Sequence, residues 1–466
     1  VRPVVTTAEM QAADAAAPVP VDVLVQRAGW AVATAAAELL GAPYGRRVTV
    51  LAGKGNNGAD GRAAGAVLAR RGARVTVVEA GTTLVLPGSD LVVDAAYGTG
   101  FRGSFEPPDA QGAPVLAVDI PSGVRGDTGA VAGDSLRAVL TVTMAALKPG
   151  LLLGEGPDRA GTVVVADIGL PVGEPAAHLV EDADRAWLPA PTRTTHKWKA
   201  AVFVVAGSPG LRGAPLLCTR GALRSGAGMV RLGSPGVTAG EQPPGEAVAI
   251  GLPASGWEDV VLGELGRFRA LVVGPGLGRS DEARAGVRAV VAGSSVPTLV
   301  DADGLNVLGP AEEVAAAVRG RPPGAGDVVL TPHDGEFARL AGRPPGEDRV
   351  ADVRDLAART GAVVLLKGAT TIVAHPSGQV LFAAAGSPRL ATAGTGDVLS
   401  GVIGAFLARG LDGLHAAALG AHVHGRAAGL GPPVGLVAGD LPDLLPAAIS
   451  GWRRIDVESP PGGRGD

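Results

Sequence analysis

Cysteine is almost missing from this sequence: Cys218 is the only one in 466 residues, so no internal disulfide is available. That fits a reducing compartment, and a cytoplasmic location is expected. A basic excess is missing too. The formal net charge of −4 supplies no positive field, which argues against nucleic acid as a partner. No run of about 18 apolar residues escapes charges and glycine breaks, so no membrane span is expected. The Val-Arg-Pro start lacks a basic stretch followed by a long apolar one, so no secretory signal is expected either. Lysine is the scarcest charge: five residues (Lys54, Lys148, Lys197, Lys199 and Lys367) out of 41 Lys+Arg, which leaves 36 arginines. Generic surface charge has fallen to arginine, so the few lysines stand out as chemically distinct cations.

What is present is a long, apolar chain. Hydrophobic residues make up 46% and charged ones 18%, the balance of a well-buried globular protein. Its length exceeds one comfortable core, so two domains are expected. The first half alternates β-branched runs (47–51, 74–78, 91–94, 114–119, 140–144, 162–167) with Ala-rich helical stretches such as 61–71. That is a βαβ rhythm and predicts a largely parallel sheet. From about Glu181 to Thr195, around Pro189 and Pro191, the rhythm stops and a linker is expected. It resumes with strands at 201–206, 270–273, 298–301, 328–330 and 363–366 and helices near 213–227 and 397–407, an α/β layout again. The domains are therefore placed at 1–188 and 189–458, with a frayed tail at 459–466.

Gly53-Lys54-Gly55-Asn56-Asn57-Gly58-Ala59-Asp60-Gly61 follows a strand and opens a helix. As a glycine-rich dinucleotide turn it would seat a pyrophosphate on the helix start, with Glu79 on a ribose. Its middle positions are not small, however. Asn56, Asn57 and Asp60 bring side-chain oxygens and amides, which suit a cation or a polar ring better than bare phosphate. Asp94 and Asp119 end two further strands and lead into glycine-containing turns, the second through Ser122. Carboxyl ends of parallel strands line the ligand crevice, so these groups can converge there. The plainer alternative is that each Asp caps the next turn.

GKGNNGADG, DAAYGTGFRG, DIPSGVRGDTG and TVTMAALKPG, with LVQRAG at 24–29, resemble the YjeF N-terminal family, the NAD(P)H-hydrate epimerases. The resemblance implies a Rossmann-like, three-layer domain that interconverts the R and S hydrates of NADH and NADPH at C6 of the nicotinamide ring. It implies a potassium ion held by Asn57, Asp94 and Ser122. Substrate would be lined by Asn56, Asn57, Gly58, Ala59 and Asp60, and by Gly98, Thr99, Gly100, Phe101 and Arg102. Asp119 would be the catalytic acid/base. Ala59 stands where the family more often has glycine.

In the second half, ATAGTGD (391–397) precedes an apolar helix. Gly394 and Gly396 allow backbone amides to face one concavity at the helix start, an anion hole. Asp397 can take a proton from a substrate hydroxyl that attacks a phosphoryl group. A glycine-rich helix start with Asp as a mere cap is the plain alternative. VVGPGLG (272–278), DADGLN (301–306), TPHDGEFARL (331–340) and LLKGATTIV (365–373) precede it. Together with THKWKAAVFVVAGSPGLRGAPLL (195–217), they resemble the ribokinase-like family of the YjeF C-terminal type, the ADP-dependent NAD(P)H-hydrate dehydratases. The resemblance runs from about Thr195 to Leu445. It implies hydrate contacts at Ala214, Gly276 and His333, with Asp397 as base. Adenine nucleotide would be held by Lys367, Gly368, Ala369, Thr370, Thr371, Gly394 and Gly396, and Mg²⁺ would accompany the ADP. Trp198 and the AAAGSPR segment (383–389) depart from the family pattern.

The expected function is repair of hydrated NADH and NADPH, with epimerisation followed by dehydration of the S form at the expense of ADP. A homo-oligomer is left open. The competing readings are a vitamin-type small-molecule kinase with a non-catalytic N-terminal binding domain, a front half that binds without catalysing, and a conventional dehydrogenase.

Overall fold

Six strands in the first half pair in the order β3-β2-β4-β5-β6-β7, every neighbour parallel. They are β2 (Arg47–Ala52), β3 (Arg74–Glu79), β4 (Leu91–Ala95), β5 (Val115–Val118), β6 (Leu140–Met144) and β7 (Thr162–Ala166). β1 (Arg2–Val4) precedes them and β8 (Ala177–Leu179) follows. The central strands β4 and β5 are buried at every position, as a sheet covered on both faces requires. One face carries α2 (Val21–Leu40) and α3 (Asn56–Arg70) after the short α1 (Thr7–Ala15); the other is covered by Leu86, Phe105 and Ala138 from connecting segments. α2 and α3 approach closely at Gly29, where a Cβ would come 2.5 Å from that of Ala63. Strand order reverses between β2 and β4, so the crevice of the sheet opens at their carboxyl ends.

The computed structural model describes residues 1–451, and the tail placed at 459–466 lies outside them. The chain splits into two units. One is Val1–Leu179 with Pro345–Asp355 and Ser377–Ala384; the other is Val180–Pro344, Leu356–Pro376 and the chain from Ala385 onward. The second unit contains β9 (Ala201–Val205), β10 (Met229–Pro235), β11 (Val248–Leu252) and β12 (Ala270–Val273). It continues with β13 (Thr298–Val300), β14 (Val328–Leu330), β15 (Val363–Leu366) and β16 (Thr371–Ala374). Their order is β16-β15-β14-β13-β12-β9-β10-β11, parallel except for the β15–β16 hairpin. Order reverses here between β12 and β9.

Helices α4 (Gly213–Arg224), α5 (Asp334–Ala341), α6 (Thr395–Ala408) and α7 (Gly413–Leu430) matter for the second site. α6 packs on α4 through small residues. A Cβ on Gly401 would meet the Cys218 carbonyl at 2.0 Å, and one on Gly221 the Val398 carbonyl at 2.5 Å. The lone cysteine is buried in this seam.

Three expectations change. The helix expected over 61–71 begins at Asn56, which puts both asparagines in its first turn. β10, β11 and β16 were not anticipated: β10 contains Arg231, Gly233 and Pro235, and β11 is half-exposed, so neither shows a clean apolar run. The segment expected as a linker is anchored in the second unit. A 3₁₀ turn at Asp182–Trp187 places Asp182 2.9 Å from His422 Nε2 and 3.0 Å from Arg426, and sets Trp187 edge-on to His415. In the first unit β1 pairs antiparallel with β8, and β8 parallel with β17 (Val380–Ala383).

Candidate active sites

The first crevice is a cavity of about 1050 Å³ lined by Asn56, Asn57, Asp60, Asp119 and the Gly98–Arg102 loop, among others. Its rim is set by backbone that tolerates no side chain. A Cβ at Gly53 would strike the Ala96 carbonyl at 1.9 Å, and one at Gly58 the Gly53 carbonyl at 1.9 Å. Gly58 is therefore buried under the turn, and neither it nor Ala59 lines the cavity.

Asp119, just past β5, sits at φ +68, an unusual conformation for a non-glycine residue and one that aspartate tolerates better than most. Its Oδ1 accepts from Lys148 Nζ at 2.6 Å, Thr143 Oγ1 at 3.2 Å and the Met144 amide at 3.4 Å. Its Oδ2 accepts from the Thr99 amide at 3.3 Å and Thr99 Oγ1 at 3.2 Å. Lys148 is fully buried and completes its valences on Thr143 Oγ1 (2.9 Å) and the Met144 carbonyl (2.8 Å). Burial alone would raise the Asp119 pKa. The Lys148 charge and hydrogen bond, with the two amides, outweigh it and hold the carboxyl below its ordinary value.

Two other carboxyls face the same cavity and are pushed the opposite way. Asp60 is raised to about 8, by burial first and then by the charges of Asp119 and Asp14. Asp14 of α1 is raised by burial and by Asp119, against the pull of Lys148. One ionised and two proton-retaining carboxyls in one crevice is the arrangement that acid–base chemistry needs. Sequence reasoning missed Asp14, which lies in no motif, and gave Lys148 no role although it is one of only five lysines.

Asp94 is fully buried. It accepts from Ser122 N at 2.9 Å and Ser122 Oγ at 2.6 Å, and burial raises its pKa. The Tyr97–Gly98 segment links this pair to Asn57: Tyr97 N donates to Ser122 Oγ at 2.9 Å, and a Cβ on Gly98 would lie 3.4 Å from Asn57 Cγ. Both polar atoms of the Asn57 side chain are buried without a hydrogen-bond partner. An orphaned amide oxygen beside a buried carboxylate and a hydroxyl is a donor set that a hard monovalent cation fits.

In the second unit the strand ends gather around α6. Asp301, buried at the end of β13, accepts from Lys367 Nζ at 2.6 Å and from Ser400 Oγ at 2.6 Å, which ties β13, β15 and α6 together. Ala302, next in the chain, has φ +52, so this turn too departs from ordinary backbone. Gly394 caps α6 at φ +90 with no side-chain cap, leaving the first-turn amides open. A Cβ on Gly396 would lie 3.5 Å from Lys367 Nζ. Asp397, in that first turn, is raised to about 6 by burial and then by Asp301 and Asp303, against Lys367.

Ala214 and Gly276 are neighbours: a Cβ on Gly276 (φ +66) would lie 3.1 Å from that of Ala214. His333 caps α5, its Nδ1 accepting from the Gly335 amide at 3.0 Å and the Glu336 amide at 3.4 Å, so only Nε2 is free of the backbone. Gly368, Ala369 and Thr370 form the turn between β15 and β16, which opens at Thr371.

Two family models match the chain: NAD(P)H-hydrate dehydratase over residues 202–448, and YjeF-related protein N-terminus over 21–87 and 79–150. A bifunctional NAD(P)H-hydrate repair enzyme from Salinibacter ruber is 36% identical, covering 95% of each chain. The chain belongs to the bifunctional NAD(P)H-hydrate repair enzyme family. Another family member, from Mycobacterium tuberculosis (strain CDC 1551 / Oshkosh), is 40% identical over 86% of this chain and 88% of its own.

Among solved structures, a ribokinase-like superfamily protein from Enterococcus faecalis covers 59% of this chain and 96% of its own at 20% identity and TM-score 0.50. That likeness places the second half in the ribokinase-like fold. The ADP/ATP-dependent NAD(P)H-hydrate dehydratase of Bacillus subtilis, co-crystallised with ATP/Mg²⁺, is 29% identical over 58% of this chain and 96% of its own, with TM-score 0.49. Family membership across both halves answers the kinase and dehydrogenase readings. Among the described residues no helix is long and apolar enough to cross a membrane.

Proposed function

We propose that this protein repairs hydrated NADH and NADPH in the cytoplasm. Residues 1–188 exchange the R and S epimers, and residues 189–458 dehydrate the S form at the expense of ADP. The observation that carries the reading is the pairing of Asp119, held ionised by buried Lys148, with Asp60, which keeps its proton to about pH 8, in one cavity at a strand-order switch.

The hydrate is a carbinolamine. Its C6–O bond breaks when the ring nitrogen pushes and the departing oxygen receives a proton. Asp60 supplies that proton, and Asp119 removes one from the water that re-adds to either face. The Gly98–Arg102 loop, Asn56 and Asn57 orient the nicotinamide. A potassium ion at Asn57, Asp94 and Ser122 would fix the turns that carry these groups. Exchange of K⁺ for a larger organic cation is expected to lower the thermal midpoint of the first unit and to slow epimer exchange, while dehydration of the S form stays unchanged.

In the second half Asp397 removes the C6 hydroxyl proton as that oxygen attacks the β-phosphoryl group of ADP. The amides at Gly394 and Gly396, with Lys367, stabilise the transferring charge, and the turn through Gly368, Ala369, Thr370 and Thr371 holds the nucleotide. Mg²⁺ would neutralise the nucleotide phosphates. Phosphate then leaves C6 with its bonding pair, a proton leaves C5, and the dihydropyridine is restored; hydroxide is too poor a leaving group to do this directly. Ala214, Gly276 and His333 would hold the hydrate. The test is recovery of NADH absorbance from its hydrate with Mg²⁺ and ADP or ATP. No recovery with either nucleotide rejects the reading.

A further inference from the structure

The first cavity reaches well beyond the groups that the epimerisation uses. Glu79, Ala80 and Thr82 line it as well as Asp119. Its volume, about 1050 Å³, stands at the upper end of the roughly 300–1,000 Å³ of ordinary ligand sites, which is generous for a nicotinamide nucleoside alone.

Strand register sets the distance across it. Glu79 ends β3 opposite Ala52 of β2, Ala52 is opposite Ala95 of β4, and Asp94 is opposite Ala117 of β5, two residues before Asp119. Glu79 and Asp119 are thus three strand spacings apart at the same end of the sheet, roughly 14 Å at about 4.8 Å each. That is comparable with the reach of a dinucleotide from its nicotinamide ring to its adenosine ribose. Between them lies the start of α3, where Gly55 is extended and no side chain caps the first-turn amides. Those amides can take the pyrophosphate.

Glu79 does not stand alone. Arg62, from the second turn of α3, donates to both its oxygens, at 2.7 and 2.8 Å, and anchors itself on the Gly53 carbonyl at 2.9 Å. Both side chains remain half-exposed, at 39% for Arg62 and 50% for Glu79, so a ligand can reach them. A carboxylate here can accept from both hydroxyls of a ribose. A 2′-phosphate in the same place would meet like charge, while the one adjacent guanidinium is already engaged.

We propose that Glu79 and Arg62 form the adenosine-ribose subsite of the first cavity, and that Glu79 biases it toward the hydrate of NADH over that of NADPH. This rests on the epimerase reading. Glu79 receives the ribose diol, and Arg62 is held from the phosphate as long as Glu79 keeps its charge.

The experiment measures exchange of R and S forms on the full chain without nucleotide, so that dehydration is silent, for each hydrate separately. Spontaneous exchange is subtracted. Glu79→Gln frees Arg62 and removes the repulsion, so kcat/KM for the NADPH hydrate relative to the NADH hydrate is expected to rise about tenfold. The change should fall in KM, because the ribose is remote from the reacting carbon. Arg62→Gln keeps the carboxylate and removes its counter-charge, so the same ratio is expected to fall. An unchanged ratio in both variants, or equal losses on both substrates, overturns the proposal. No exchange of either hydrate by the unaltered protein overturns the epimerase reading itself, and this proposal with it.

Discussion

Asp119 and Asp397 are both carboxylates just beyond a glycine-flanked turn at the crevice of a parallel sheet, yet their surroundings drive them apart. Asp119 has a buried cation in direct contact and sits below its ordinary pKa. Asp397 has the corresponding lysine, Lys367, spent on Asp301, and is raised to about 6. The lesson is that the position of a lysine relative to a carboxylate, more than burial, decides what that carboxylate can do. Paired directly, the group stays ionised and ready to take a proton from water. With the lysine one residue away, it remains poised to change state near physiological pH, while the lysine is left facing the helix-start amides where a phosphoryl group would pass.

The largest expected break in this comparison is Asp397→Asn. Dehydration should fall by about 10²–10⁴-fold and epimer exchange should not change, as read by separating the two hydrates chromatographically. Next is Lys148→Met, which leaves Asp119 buried without its cation. Epimer exchange should fall by about a hundredfold or more, and stability by about 3 kcal/mol in chemical denaturation, with dehydration of the S form retained. Stability that survives intact would show that Lys148 is not the group holding Asp119.

The third is pH. A base with a pKa of about 6 must lose its proton to act, so dehydration should be half-maximal near pH 6 and fall below it. Epimer exchange should keep its base limb below the ordinary carboxylate range and decline above about pH 8 as Asp60 ionises. The smallest effect concerns stability. Asp397 holds its proton more tightly in the folded chain than its ordinary value of 3.8, so its contribution is full below about pH 4 and is lost as pH rises through 6. Asp397→Asn removes that loss. It should stabilise the second unit by on the order of 1–2 kcal/mol at pH 7, after discounting for solvent screening, and by nothing at pH 4.

Much of both sites was legible because their residues sit in glycine-punctuated strand ends, where periodicity and motif coincide. Asn57, Asp94, Asp119 and Asp397 were all named from such positions. What stayed hidden is what depends on tertiary approach. Asp14 comes from a first helix whose sequence carries no turn signal, and only the fold brings it to Asp119. Lys148 follows β6, yet its ammonium reaches back to Asp119 after β5, a pairing no local pattern encodes. His333 illustrates the opposite case: its Nδ1 is occupied by the start of α5, a capping task its place before Asp334-Gly335-Glu336 had allowed for. The strands β10 and β11 were missed because an edge exposes part of its surface and tolerates Arg231, Gly233 and Pro235.

The most direct test of two independent chemistries in one chain is clearance of pure R hydrate by the Asp119→Asn variant with Mg²⁺ and ADP. The S hydrate should be repaired at the unaltered rate, and the R hydrate no faster than it epimerises spontaneously. Repair of the R hydrate at the rate of the unaltered protein would contradict the account.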